Sequence, residues 1–247
     1  MYTEYKKDYS NYLGREFEFK RYGNSGKPCL VFPPQDGRYH DYEDFKMVET
    51  LSDYIEKGEL QLFCVVSIDS ETWSDRNGNP RERIEKQEKW FKYMSEEFIP
   101  RIYEWTGRRD LIVTGCSMGG SHAGILFFRR PDLFETLISL SGAYNPSMFF
   151  GDYMDNLIYD NSPVHFLRNM PSDHYYLDLY RQKNIIICIG QGAWEEDLIP
   201  GNKEMEVILK EKNVPAWVDF WGYDVAHDWN WWQIQIKYFM EKVLRKG

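Results

Sequence analysis

The chain has 247 residues, enough for one large domain with a real core, and 39 acidic against 30 basic side chains leave it with a net charge of −9. A surface of that sign repels polyanions, which excludes DNA and RNA as expected partners. No stretch approaches the roughly 18 uninterrupted apolar residues of a membrane span, and the N-terminal MYTEYKKDYSNYLG lacks the apolar run of a secretory signal, so the expectation is a single soluble, cytoplasmic domain over 1–247 with no membrane partner.

In chain order, residues 15 to 21 alternate apolar and polar and predict a half-exposed strand at one edge of a sheet. The runs PCLVF (28–32), LQLFCVVSI (60–68), LIVTG (111–115), LISLSG (137–142) and NIIICIG (184–190) are short and continuously apolar, the pattern of parallel strands buried on both faces. AWVDFWGY (216–223) alternates again and predicts a strand nearer the other edge. Between them, apolar residues at 84, 91, 94, 98, 102 and 105 share one helical face over 81–107, with a kink expected at Pro100; 118–129, 202–212 and 229–245 also read as helix. This alternation predicts an α/β sandwich with helices on both faces of a mostly parallel sheet. Residues 145–182, mixed aromatic, acidic and proline-containing, break it and suit either a cap over a site or an irregular surface insertion. Cys29, Cys64, Cys116 and Cys188 each sit in or at the end of an apolar run and no pair has metal-ligand spacing, so they read as small buried hydrophobes rather than a disulfide frame or zinc site.

The chemistry centres on GCSMG (115–119), which fits a GxSxG elbow with a strand before it and a helix after it. Such a turn strains the serine backbone and needs glycines two residues either side, which lifts the hydroxyl of Ser117 above the sheet beside the first amides of the helix. A serine hydroxyl needs a base, and the base an orienting acid. In this topology the acid follows the serine and the histidine comes last. Of the five histidines only His227, in GYDVAHDWNWW, lies beyond the last buried strand. His122, on the elbow helix, is expected to pack against the sheet or face solvent. The acid should leave the end of NIIICIG, where GQGAWEEDLIPG offers Glu195, Glu196 and Asp197; Glu195 is favoured and Asp197 is second. Asp224 and Asp228, beside the base, suit loop-stabilising or exposed roles. The amides of Met118 and of Gln35, in PPQDG after the first buried strand, are the expected oxyanion donors, although QDG also suits an ordinary turn. GQGAWE is not a dinucleotide fingerprint, because Glu195 stands where the third glycine would be. Trp73, Tyr144, Phe149, Trp194 and Trp229 are candidate pocket aromatics that core packing would equally explain; Trp194 and Trp229 are preferred because they flank the acid and the base.

The segments PPQDGRYHDYED, DLIVTGCSMGGSHAGILFFRRPDLF, GQGAWEED and GYDVAHDWNWW resemble those of the esterase family of α/β-hydrolases that includes esterase D (S-formylglutathione hydrolase), feruloyl esterase domains and mycolyltransferases. The resemblance runs from about residue 14 to about 244. It implies the α/β-hydrolase fold and a cofactor-free, metal-free serine hydrolase acting on carboxylic or thiol esters of small molecules. Ser117 would be nucleophile and His227 base, with the acid on the loop after NIIICIG. Two segments depart from the better-known branches: PPQDG stands where many relatives have a His-Gly pair, and Trp-Glu-Glu-Asp where esterase D relatives carry a single Asp. Aligning GAWE with their Gly-x-x-Asp selects Glu195. The same residues would also serve an acyltransferase, a catalytically silent binding protein could keep the scaffold, and association into a homo-oligomer is left open.

Overall fold

The computed structural model describes residues 1–245. Eight strands form one sheet: β1 (Thr3–Ser10), β2 (Arg15–Tyr22), β3 (Lys27–Phe32), β4 (Leu60–Val65), β5 (Ile112–Cys116), β6 (Thr136–Leu140), β7 (Asn184–Ile189) and β8 (Ala216–Phe220). Their order is β1-β2-β4-β3-β5-β6-β7-β8; β1 and β2 are antiparallel to their neighbours, and the other pairings are parallel. β4, β5 and β6 are buried throughout and β3 and β7 nearly so, which is why their sequences run apolar without alternating.

The alternation expected within each strand appears as a division between two cores. Leu30 and Phe32 face the layer built by the helices Pro80–Lys92, Ile99–Thr106, Met118–Arg129 and Ile199–Glu211. Cys29 and Val31 face the layer of the C-terminal helix Trp229–Leu244 and the short turns at Met47–Thr50 and Ser52–Glu56. This is the α/β-hydrolase architecture that the sequence predicts. All four cysteines are buried and unpaired, and burial pushes their thiols up.

Three local expectations need revision. The strand at 15–22 is not the edge, because β1 pairs outside it from Thr3↔Tyr22 to Ser10↔Arg15. In the helix over 81–107, the irregularity expected at Pro100 takes the form of a π turn just ahead of it, at Tyr93–Phe98, after which the helix resumes as Ile99–Thr106. Proline brings no N–H and its ring crowds the carbonyl four residues back, and one wide turn ahead of it removes both conflicts. Third, 145–182 is not irregular: it carries four short helices, Ser147–Phe150, Asn156–Asp160, Pro163–Asn169 and Tyr175–Arg181.

Arginines bind the insertion to the body: Arg81 donates to Asp155 and Asn156, and two others reach deeper. Buried Arg83 donates to the carbonyls of Thr72, Trp73 and Phe149, and its guanidinium lies 4.3 Å from the Phe150 ring centroid. Arg129, ending the elbow helix, donates two bonds to Glu88, 2.8 and 2.9 Å, and one of 3.2 Å to Asn161, while stacking 3.6 Å above Phe91. Burial alone would raise the Glu88 carboxyl, but Arg129 outweighs it and holds it below the usual carboxylate range. A carboxyl lowered in the folded state contributes stability above its unfolded value of about 4.3 and loses it as pH falls through the folded value. Glu88→Gln is therefore expected to cost about 1–2 kcal/mol at pH 7, with the gap from wild type shrinking in urea denaturation series carried down to pH 3.

Candidate active site

In an open parallel sheet, ligands sit beyond the carboxyl ends of the strands where the strand order reverses, because the loops diverge there and leave a crevice. That place here lies between β3 and β5, which are sheet neighbours although β4 separates them in sequence. Ser117 leaves β5 at this point and the PPQDG loop leaves β3.

Ser117 holds φ 57° and ψ −126°, outside the ordinary regions for a non-glycine residue. Two anchors keep it there: its N–H donates to the Leu140 carbonyl at 2.8 Å, and its own carbonyl accepts from the Ser121 N–H at 3.1 Å as the helix begins. The flanking glycines are needed for close approach. A Cβ on Gly115 would lie 2.3 Å from the Gly119 backbone, and one on Gly119 would lie 2.3 Å from the Phe32 carbonyl oxygen. Because backbone cannot yield as a side-chain tip can, Gly119→Ala is expected to cost about 3 kcal/mol or more. The check is a thermal melt beside Gly78→Ala, where the Cβ would meet the Asp75 and Arg83 side chains instead.

His227 Nε2 lies 2.9 Å from Ser117 Oγ, and His227 Nδ1 lies 2.9 Å from Glu195 Oε2. The acid and base loops are laced together: the His227 N–H donates to the Ala193 carbonyl at 2.9 Å and the Gly192 N–H to the Val225 carbonyl at 2.9 Å. Asp228 accepts from the N–H groups of Asn230 and Trp231, so it caps the C-terminal helix and fixes where His227 leaves the chain. Of the three adjacent carboxylates, Glu195 is fully buried and Glu196 and Asp197 are exposed. The geometry thus joins Ser117, His227 and Glu195, and leaves Asp197 outside.

Two further residues extend this chain of bonds. Glu195 Oε1 accepts from Ser141 Oγ at 2.5 Å and from the Gly190 N–H at 3.3 Å, and Ser141 Oγ accepts from Trp232 Nε1 at 3.1 Å. The Trp232 ring also packs edge-on against His227, centroids 4.8 Å apart. Sequence reasoning passed over both; the available signal was the serine directly after the buried strand, in LISLSG, which here takes φ 51°.

The Met118 N–H opens the elbow helix, where no carbonyl of the same helix can accept it. Gln35 is exposed on the loop that follows β3. Trp194 stands in the acid loop with φ 69° and 82% exposure. Trp229, by contrast, lies flat against Phe45, centroids 4.5 Å apart and rings 3° from parallel, with Trp232 edge-on at 5.2 Å. Trp73 and Phe149 pack with Met118 in a small core under the insertion, and buried Tyr144 donates to Ser139. His122 neither faces solvent nor merely packs; buried in the elbow helix, it bonds to Asp69. Among the described residues, His40, Asp41 and Asp44 bring three potential metal-ligand atoms together on a partly exposed turn, but His40 Nδ1 is already bonded to Asp44 at 2.7 Å. No helix among those residues is long and apolar enough to cross a membrane.

Solved structures of similar fold cover nearly the whole chain. A ferulic acid esterase superposes with a TM-score of 0.77 at 16% identity, over 99% of this chain and 97% of its own. S-formylglutathione hydrolase of Staphylococcus aureus gives 0.71 at 16%, over 98% and 97%. MPT51 of Mycobacterium tuberculosis gives 0.73 at 13%, over 99% and 98%. At these identities the likeness is one of fold. No curated protein matches the sequence. The family model described as "Putative esterase" matches residues 10–240. The chain therefore belongs to that esterase family, as a carboxylesterase-type hydrolase of the α/β-hydrolase fold.

Proposed function

We propose that the protein hydrolyses small-molecule carboxylic or thiol esters through an acyl-enzyme on Ser117. The observation that carries this reading is the unbroken chain of bonds from Ser117 Oγ through His227 to buried Glu195, 2.9 Å at each step. As the Ser117 oxygen attacks the acyl carbon, its proton passes to His227 Nε2, and Glu195 stabilises the imidazolium that forms. The N–H groups of Met118 and Gln35 receive the negative charge that develops on the carbonyl oxygen. Collapse of the tetrahedral intermediate expels the alcohol or thiol, which takes the proton from His227. Water then attacks the acyl carbon and gives a proton to the same nitrogen; the bond to Ser117 Oγ breaks, that oxygen takes the proton back from His227, and the acid is released.

Trp194, exposed beside the acid, is the side chain we assign to contact with the leaving group or acyl portion. Trp229 forms the packed wall behind His227. A kinetic screen of nitrophenyl esters of graded acyl length, with aryl and thiol esters alongside, tests the reading. The expected product is free acid even with alcohol acceptors added. New esters from those acceptors would make the protein an acyltransferase, and no turnover of any substrate would overturn the reading.

A further inference from the structure

A second carboxylate–imidazole pair lies beneath the proposed oxyanion hole and takes no part in the proton transfers above. Asp69 Oδ1 lies 2.7 Å from His122 Nε2, and both side chains are essentially removed from solvent, at 0% and 1% exposure. The other carboxylate oxygen, Oδ2, accepts the backbone N–H of Asp36 at 3.3 Å. Asp36 follows Gln35 directly and holds φ 57°, so the peptide plane joining Gln35 to Asp36 is fixed by an unusual backbone turn. His122 belongs to the helix that begins at Met118. One carboxylate therefore ties the loop bearing one proposed oxyanion donor to the helix bearing the other.

The topology makes this a brace rather than an incidental contact. Asp69 opens a short turn after β4, on one side of β3, while His122 rises from the helix after β5, on the other. The loop leaving β3 starts from the strand between those two. Its far side is held as well, by Ser74 Oγ donating to Asp36 Oδ1 at 2.8 Å and by the Ser67 N–H donating to the Gly37 carbonyl at 3.2 Å. The imidazole cannot swing away, since Phe32, Trp73 and Trp90 surround it at centroid distances of 6.0, 6.3 and 5.0 Å. Its Nδ1 is buried without a partner, so its hydrogen bonding is directed to Asp69 alone. A buried polar pair of this kind is costly unless it organises something.

We infer that Asp69 and His122 are positioning residues that set the spacing between the Gln35 and Met118 amides, and that this spacing governs stabilisation of the oxyanion. The inference rests on the esterase reading proposed above. In that reading the two amides must meet an oxygen that carries charge only in the transition state, so an error in their spacing lowers kcat and leaves KM nearly unchanged.

The test compares His122→Gln, whose amide nitrogen can reproduce the Nε2 donor, with His122→Leu and His122→Asn, which cannot reach Asp69. kcat is expressed per active site titrated with a fluorophosphonate, and inhibition by an alkyl trifluoromethyl ketone, whose hemiketal mimics the oxyanion, is measured beside it. His122→Leu and His122→Asn are expected to lose about 10- to 100-fold in kcat and a similar factor in ketone affinity, with KM within about twofold. His122→Gln should stay within about threefold of wild type. A kcat per site unchanged in the Leu and Asn variants overturns the inference, as does a Gln variant as impaired as they are. Hydrogen exchange on the wild type provides a check that needs no variant: the Asp36 amide should be protected, and exchange at the rate of a free chain would overturn the brace. Ser117→Ala is run in parallel; if it stays active, the esterase reading fails rather than the positioning one.

Discussion

Ser117→Ala is expected to lower kcat for a nitrophenyl ester by about a million-fold, leaving a residue of catalysis over water of about a thousand-fold from binding and the oxyanion donors. The loss is large because the alcohol, the base and the acid act as a unit: with no oxygen at Ser117, His227 has no proton to accept and Glu195 no imidazolium to stabilise. The substitution should not disturb the fold. Alanine suffers the φ of 57° no more than serine does, and the two anchors of the elbow, to Leu140 and Ser121, are backbone bonds that survive it. Activity should thus vanish while the melting temperature stays within a few degrees of wild type, and lost activity with lost fold would not meet the prediction.

Glu195→Gln is expected to lower kcat on the order of ten thousand-fold. Both carboxylate oxygens are in use: Oε2 faces His227 Nδ1, and Oε1 accepts from Ser141 and the Gly190 N–H. An amide has one accepting oxygen for these two places. With its NH₂ turned inward it meets the Gly190 N–H donor to donor, in a fully buried site. With its NH₂ turned to His227, it donates to Nδ1 and forces the other tautomer, so that Nε2 carries a proton and points it at Ser117. That second orientation removes the base, and the first keeps it only at the cost of the buried donor–donor conflict. Glu196→Gln and Asp197→Asn, on exposed carboxylates, should stay within about twofold of wild type, and a large loss at Asp197 with none at Glu195 would reassign the acid.

Much of this was legible in the sequence because local pattern and topology coincide. Five buried strands announce themselves as unbroken apolar runs, and Gly115 and Gly119 bracket Ser117 for a steric reason that any elbow shares. His227 follows from chain order. The choice of Glu195 over its neighbours depended on a short alignment, since a run of three carboxylates carries no sign of which one is buried. β1 escaped notice because its residues alternate charged groups with tyrosines, and only Asp8 and Ser10 along it are buried. Burial raises the Asp8 carboxyl despite hydrogen bonds from Tyr93 and Arg101, so an apparently polar edge conceals a packed contact. Ser141, Trp232 and the Asp69–His122 pair were out of reach for a different reason. Each owes its significance to partners distant in the chain, as His122 lies 53 positions beyond Asp69, and no periodicity encodes that separation.

In the proposed mechanism the acyl group is carried on Ser117. The most direct measurement is mass spectrometry of the protein after brief exposure to a fluorophosphonate ester, followed by digestion and peptide mapping. A single adduct of one phosphonyl group should appear on the peptide containing Ser117 in the wild type, and no adduct should form on Ser117→Ala under the same conditions. Labelling of Ser117→Ala at the wild-type rate, or an adduct mapped to another residue, would mean that Ser117 is not the nucleophile.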